Sequence, residues 1–392
     1  MAWEKVKLGD VCKSITDGDH QSLPLSECGI PFIVIANISS NNRIEFEKTR
    51  YVPLDYYEKL DEKRKPQKGD VLLTVKGSFG IPVFVANDKP FVFQRDIAIL
   101  KCGEKVNPKF LFFYMKNKDF YLYTDSIAIG AAQRAITLNA LRNTIIRLPQ
   151  LNVQNRIADI LSAYDDLIEN NRKQIKLLEE AAQRLYKQWF IDLKFPGYET
   201  TKIVDGLPEG WKKEKLVGFA DVVMGQSPKS EFYNQEKKGL PFHQGVGSYG
   251  TRFVIDDTYS SSVTRIAESG SILFSVRAPV GRLNFTKNKI IIGRGLAAIN
   301  HKEKYQSFLF YMLKERFFKD DILGNGAIFA SISKDELLNQ QFVIPNDELL
   351  QKFNTIASGI DAKIAAADAQ MQLLTQSRDR LLPKLMNGEI EV

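Results

Sequence analysis

The chain has 392 residues, of which 44% are hydrophobic and 26% charged, with a net charge of +7. That length suits two or three domains. No apolar run approaches the ~20 residues of a membrane-spanning helix, and the opening Met1-Ala2-Trp3-Glu4-Lys5 lacks the apolar core of a signal peptide. Cys12, Cys28 and Cys102 are odd in number and scattered, which argues against a disulfide framework or a structural zinc site and points to a reducing cytoplasm.

In chain order, the first 150 residues read as mostly strand. Val71–Val75, Val83–Ala86 and Phe91–Phe93 are short β-branched or aromatic runs between Gly, Pro and Asn signals, and Pro108–Lys118 reads as a helix. A long helical segment follows. Leu161, Tyr164, Ile168, Asn171, Ile175, Leu178, Ala182, Leu185 and Trp189 alternate steps of 3 and 4, the spacing of a coiled-coil seam. Asn152 is the expected N-cap, and Pro196-Gly197 the expected close. About 36 residues at 1.5 Å each would make a rod of roughly 54 Å. A second strand-rich stretch includes Ile272–Val276 and Ile290–Ile292, with a helix at Gln306–Phe318. A second long helix, capped at Asn346-Asp347, carries the seam Ile360, Ile364, Ala367, Met371, Leu374, Arg378, Leu381 and Leu385, and Pro383 should kink or end it. Of the polar seam residues, Arg378 is expected to reach solvent, while Asn171 could equally fix register. Two such seams in one chain most economically pair antiparallel, with the globular parts at opposite ends. The outer faces carry Ala158, Leu167, Leu177, Ala181 and Tyr186, apolar surface for a partner or for ordinary packing.

The second half repeats the first. Pro149, Ile157, Ile168 and Leu178 are answered by Pro345, Phe353, Ile364 and Leu374, each 196 residues on. In the strand-rich parts the offset drifts: Trp3 answers to Trp211 at 208, Val71 to Ile272 at 201, Arg95 to Arg294 at 199. Length changes were tolerated in loops but not in the helices. Charge follows the same division. Gln154–Trp189 holds six basic and six acidic residues and Glu348–Leu382 four of each, so the positive excess lies in the globular parts. That pattern fits a polyanion binder, or a basic protein that binds no nucleic acid.

The chain lacks a G-x-x-x-x-G-K-[ST] loop and an Asn-Pro-Pro-aromatic tetrapeptide, and His20, His243 and His301 lack metal-ligand spacing. Asp55 and Asp61-Glu62-Lys63 loosely resemble a nuclease carboxylate–lysine set but read better as a solvated turn. The candidate ligand-facing groups are polar residues on loops that bracket the strands. In the first half they are Asp17, His20, Lys76, Ser78, Arg95, Gln133 and Arg134. In the second they are Gln226, Ser227, Lys229, His243, Gln244, Tyr249, Arg252, Arg277, Arg282 and Arg294. Such groups reach phosphates and base edges. The matching loops carry different side chains, as two DNA readers of different sequences would.

Several motifs resemble the specificity subunits of type I restriction–modification enzymes over essentially the whole chain. They are Thr16-Asp17-Gly18-Asp19-His20…Pro24, Gly130-Ala131-Ala132-Gln133-Arg134-Ala135-Ile136 and Pro149-Gln150-Leu151-x-x-Gln154-x-x-Ile157. The second half adds Gly225-Gln226-Ser227-Pro228, Val276-Arg277-Ala278-Pro279-Val280-Gly281, Gly293-Arg294-Gly295-Leu296, and the tail from Leu381 to Ile390. Gly326-Ala327-Ile328-Phe329-Ala330-Ser331-Ile332 departs by lacking the Gln-Arg pair. The resemblance implies an α+β chain of pseudo-two-fold internal repeat: target-recognition domain 1 over 1–150, a spacer helix over 151–195, target-recognition domain 2 over 196–347, and a second spacer helix with tail over 348–392. Each domain would read half of a bipartite, asymmetric site in double-stranded DNA. The antiparallel helices would set the spacer and dock two modification (methyltransferase) subunits, through which two restriction (translocase–nuclease) subunits join. The chain itself would be non-catalytic and bind no cofactor, S-adenosylmethionine, ATP and magnesium belonging to the partners. The readings kept against this one are a fused nuclease or methyltransferase, and a structural adaptor.

Overall fold

The computed structural model describes residues 3–20, 23–39, 41–130, 134–317 and 331–392. The chain folds into two compact units. Unit 1 comprises residues 1–170 and 370–392, and unit 2 comprises 171–369. The unit boundary falls inside both long helices, so each unit owns a segment of each.

In unit 1, β1 (Glu4–Lys7) pairs antiparallel with β9 (Ile145–Leu148). A four-stranded antiparallel sheet runs β2 (Cys12–Asp17), β8 (Ile97–Cys102), β5 (Val71–Thr74), β6 (Pro82–Phe84). A three-stranded sheet runs β4 (Arg50–Val52), β3 (Ile30–Ile33), β7 (Val92–Phe93), and its β3–β7 pair is parallel with Phe32 opposite Val92. The central strands β3, β5 and most of β8 are apolar on both faces, and all four residues of β5 are buried. Such continuous runs, rather than alternation, mark strands covered on both sides.

Unit 2 repeats this plan. After the hairpin β10 (Ile203–Val204) and β11 (Leu207–Pro208), β12 (Lys212–Lys215) pairs with β22 (Gln341–Ile344). The four-stranded sheet is β13 (Ala220–Met224), β21 (Leu296–His301), β18 (Ile272–Ser275), β19 (Leu283–Phe285). The other sheet has five strands: β14 (Tyr233–Asn234), β16 (Tyr259–Ser260), β15 (Leu240–His243), β20 (Ile290–Ile292), β17 (Ile266–Ala267). Its parallel pair, β15–β20, sets Phe242 opposite Ile291, as β3–β7 does in unit 1. The expected α+β class and internal repeat are therefore present in the backbone.

Each core runs from the sheets into the helices. In unit 1, Leu8, Leu73, Leu100 and Phe110 cluster with Ile157 and Leu161 of the first long helix (Leu151–Tyr186) and Leu382 and Leu385 of the second (Asp347–Met386). In unit 2, Leu216, Phe274 and Phe308 cluster with Tyr186 and Phe353. Within each unit the two helix segments are antiparallel. Asp165 meets Arg378 in unit 1, and Tyr186 lies 5.8 Å from Phe353 in unit 2. The seam positions Leu161, Ile168, Asn171, Ile175, Ala182, Ile364, Ala367 and Leu385 are buried, as their spacing demands.

The helix ends correct several expectations. Asn152 lies inside the first helix. Gln150 precedes the helix, its carbonyl accepting from Val153 N and Gln154 N at 3.0 Å. Asn346 does cap the second helix, its Oδ1 accepting from Leu349 N at 3.0 Å. The first helix stops at Tyr186 in a π turn, Lys187–Ile191, ahead of Pro196. Pro383 neither ends nor interrupts the second helix, which continues to Met386. The buried Leu382, Leu385 and Met386 hold that last turn in the unit 1 core. Arg378 does not reach free solvent: its Nη1 lies 2.5 Å from Asp165 Oδ1 and its side chain is 14% exposed. Of the proposed outer-face residues, Leu167, Leu177 and Ala181 are exposed, whereas Ala158 and Tyr186 belong to the unit cores.

Candidate nucleic-acid interface

Close backbone approach builds the loops at the ends of the central strands. In unit 2 a Cβ on Gly225 would stand 2.1 Å from Gly293 O, and one on Gly293 would stand 2.6 Å from Gln244 Oε1. Only glycine lets these three loops touch. Gln226 N donates to Ile292 O at 2.9 Å. Ser227 Oγ donates to Gln244 Oε1 at 2.7 Å and accepts from Arg294 N at 3.2 Å. Ser227 therefore spends its hydroxyl on positioning, while the side chains of Gln226, Gln244 and Arg294 are exposed beside it. Arg277 joins from the end of β18, because Val276 N donates to Gly295 O at 2.9 Å. It too is exposed.

Unit 1 uses the same scaffold with other side chains. A Cβ on Gly18 would stand 2.3 Å from Phe93 O, so the loop after β2 presses on the β7–β8 turn that carries exposed Arg95. Val75 N donates to Asp96 O at 2.8 Å and brings Lys76-Gly77-Ser78 to the same edge, where Ser78 is exposed and Lys76 half-buried. His20 Nε2 lies 3.0 Å from Asp17 Oδ2, the imidazole 61% exposed and the carboxylate 14%. Arg134 bonds the Asp125 carboxylate at 3.1 Å and also its carbonyl. Gln133 lies outside the described residues.

The other five second-half candidates have other surroundings. His243 is fully buried, its Nδ1 2.8 Å from Ser248 Oγ and its Nε2 3.0 Å from Asp256 Oδ1. That hydrogen bond, with a weaker one from Asn288, holds the Asp256 carboxyl below the usual range. Arg252 is 2% exposed. Its guanidinium carbon sits 3.6 Å from the Phe310 ring centroid, its Nη2 2.5 Å from Asp361 Oδ1 and its Nη1 3.5 Å from Glu179 Oε1. Tyr249 turns its hydroxyl inward. These three expectations are corrected: His243 and Arg252 are buried against internal partners, and the half-buried Tyr249 keeps its hydroxyl inside, away from solvent. Arg282 is half-buried and its backbone N–H donates to Ser275 Oγ at 2.8 Å. Lys229 is exposed, 3.8 Å from Glu231.

The structure adds contacts that the sequence did not single out. Asp19 is held by Tyr56 Oη at 2.8 Å and Arg64 Nη1 at 3.4 Å, which fixes the 17–20 loop from a segment some 40 residues away. The Thr264 hydroxyl donates to Gln226 O. Nothing in spacing or composition marks these contacts, which exist only after the chain has folded back. The suspected nuclease set does form a surface turn, in which Asp61 Oδ1 accepts from Lys63 N at 2.8 Å and Asp55 pairs with Lys59 at 3.3 Å.

Two copies of one α+β scaffold, each presenting a different set of cationic and amide side chains from equivalent glycine-built loops, define a two-domain recognition protein. Comparison with known proteins gives the family. The profile of the type I restriction modification DNA specificity domain matches residues 2–180 and 208–372. A Methanocaldococcus jannaschii protein named as the MjaX specificity subunit of a type I restriction enzyme is 30% identical, covering 100% of this chain and 94% of its own. The HindI specificity subunit of Haemophilus influenzae is 23% identical over 99% of both. The type I restriction–modification S subunit of M. genitalium shares the fold, with a TM-score of 0.61, 19% identity, and coverage of 98% of this chain and 96% of that one. The chain belongs to the type I restriction–modification specificity subunits and carries two DNA specificity domains. Among the described residues no helix is long and apolar enough to cross a membrane.

Proposed function

We propose that each unit reads one half of a bipartite, asymmetric DNA site, unit 1 through Asp17, His20, Lys76, Ser78, Arg95, Gln133 and Arg134, and unit 2 through Gln226, Lys229, Gln244, Arg277, Arg282 and Arg294. Ser227 orients its neighbours. His243, Tyr249 and Arg252 support the fold. The observation that carries this reading is the replacement of side chains on a retained scaffold. Arg294 answers to Arg95 and Arg277 to Lys76, but Gln226-Ser227-Pro228-Lys229 stands where unit 1 has Asp19 and His20. Conserved cations suit phosphates and variable amides suit base edges.

The helices, in this reading, set the distance between half-sites and dock two modification subunits, through which two restriction subunits join. Turnover belongs to those partners in the cytoplasm, together with S-adenosylmethionine, ATP and magnesium, and this chain supplies specificity alone. The test is methylome sequencing of cells expressing the chain with its modification subunit. Replacing Gln226 and Gln244 by alanine should relax or change one half-site and leave the other half-site and the spacer untouched. Changes spread over both half-sites would refute a division of labour between the units.

A further inference from the structure

The repeat offset drifts through the strand-rich parts but stands still at 201 from Gly69 to Phe84. That stretch holds the loop from β5 to β6 in unit 1 (residues 75–81) and from β18 to β19 in unit 2 (residues 276–282). Each loop is tied by one buried hydroxyl at the end of the strand before it. Thr74, 0% exposed, donates from Oγ1 to Ser78 O at 2.7 Å and accepts from Ile81 N at 2.9 Å. Ser275, 1% exposed, donates from Oγ to Pro279 O at 2.6 Å and accepts from Arg282 N at 2.8 Å. The backbone closes alike: Gly80 N donates to Thr74 O at 2.7 Å, and Gly281 N to Ser275 O at 3.0 Å. Both glycines have a positive φ, 80° and 86°, and the residue before each, Phe79 or Val280, is buried as an anchor.

The outward part of the loop is where the copies differ. Lys76-Gly77-Ser78 stands in unit 1 where unit 2 has Arg277-Ala278-Pro279, and the first position is a cation in both. A hydroxyl donates and accepts at once, so a single side chain fixes both the middle of the loop and its exit. An apolar residue in its place deprives a loop carbonyl and a loop amide of their partner. The loop then shifts to regain one, and its cation moves with it. A phosphate contact sets the register of the duplex only while the charge stays in place.

We propose that Thr74 and Ser275 are positioning residues for DNA binding: each hydroxyl holds the cation two residues on, Lys76 or Arg277, where it meets a phosphate, without touching DNA itself. The inference rests on the reading that these cations contact DNA. It is tested on the complex of the full chain with its modification subunit, with a duplex carrying the site read from the wild-type methylome. Thr74→Val and Lys76→Ala should each weaken binding about tenfold and each lower the slope of log affinity against log salt by about one. The double variant should be no weaker than either single one, because the hydroxyl acts through the cation. Ser275→Ala and Arg277→Ala should behave in the same way in unit 2. Thr74→Ser and Ser275→Thr keep the hydroxyl and should restore both affinity and slope. If Lys76→Ala and Arg277→Ala left affinity and slope unchanged, the cations would not contact DNA and the underlying reading would fall with the inference. If those variants weakened binding while Thr74→Val and Ser275→Ala did not, the inference alone would fall. It would fall too if the double variants lost the full sum of the single effects, or if the hydroxyl variants lowered the melting temperature and the affinity with the salt slope unchanged, since the hydroxyls would then serve the fold only.

Discussion

Arg252 shows how a single side chain ties a recognition domain to its supporting helices. Its guanidinium reaches Asp361 on the second long helix and Glu179 on the first while stacking on Phe310, all within unit 2. Tyr311 Oη adds a hydrogen bond to Asp361 at 2.9 Å. Removing one member of a buried ion pair strands the other charge and costs about 3–5 kcal/mol, whereas replacing both by apolar groups is often neutral. Arg252→Ala should therefore lower the urea midpoint strongly, and the double change Arg252→Met with Asp361→Leu should recover most of the loss. A double variant no more stable than the single one would mean that packing on Phe310, not charge, dominates.

His301 gives a second prediction at this scale. Burial pushes its pKa from 6.5 down to about 4. Its Nδ1 accepts from Glu303 N at 3.1 Å, which leaves the proton on Nε2. A group whose folded pKa is depressed below the unfolded value gives the unfolded state more protons between the two. Stability should accordingly fall as pH drops from 6.5 toward 4, and His301→Gln should flatten that part of the pH–melting curve. Identical slopes in the two proteins would remove His301 from the acid response.

At the scale of elements, the start of the first long helix is locked by one amide. Gln154 is 1% exposed. Its Nε2 donates to Pro149 O at 2.8 Å and Lys105 O at 3.0 Å, and its Oε1 accepts from Asn107 N at 2.8 Å. Gln154→Ala leaves these buried backbone groups unpaired, at about 1–3 kcal/mol for each group left without water. Hydrogen exchange at Asn107 and at the first turn of the helix should accelerate more than in the sheets. Unit 2 has Leu350 at the repeat position and Asn346 as the cap, so Asn346→Ala should loosen the second helix by only the ~1 kcal/mol of a lost N-cap. The seam itself was legible in the sequence, because a 3–4 alternation is a local signal that packing only has to honour. Pro383 was misread because a helix end is set by what lies beyond it, here Leu385 and Met386 anchored in the unit 1 core. Arg378 and Arg252 were misread for a related reason. Their carboxylates are 213 and 109 residues away in the chain, and no local pattern distinguishes a cation that will be buried from one that will face solvent. The candidate loops were found by their Gly-polar composition, but which groups stay exposed depends on backbone approaches such as Gly225 to Gly293.

At the scale of the whole molecule, the offset of 196 holds constant through the helices and drifts only in the strand-rich parts, from 208 at Trp3 to 199 at Arg95. Both long helices are shared between the units, so a change in helix length alters both units' common support without touching a reading loop. Four residues add about 6 Å to a helix, close to two base pairs at about 3.4 Å each. Matched four-residue insertions after Ile175 and after Ile364, both buried seam positions, should lengthen the preferred spacer by one or two base pairs and leave both half-site sequences unchanged in the methylome. An insertion after Ile175 alone should also move the spacer, at a greater cost in stability, because the second helix no longer matches the seam. A spacer unchanged by either insertion would show that the half-site distance is set by the domains or by the modification subunits, and the strict copying of the helices would then reflect their docking surface and not a length being measured.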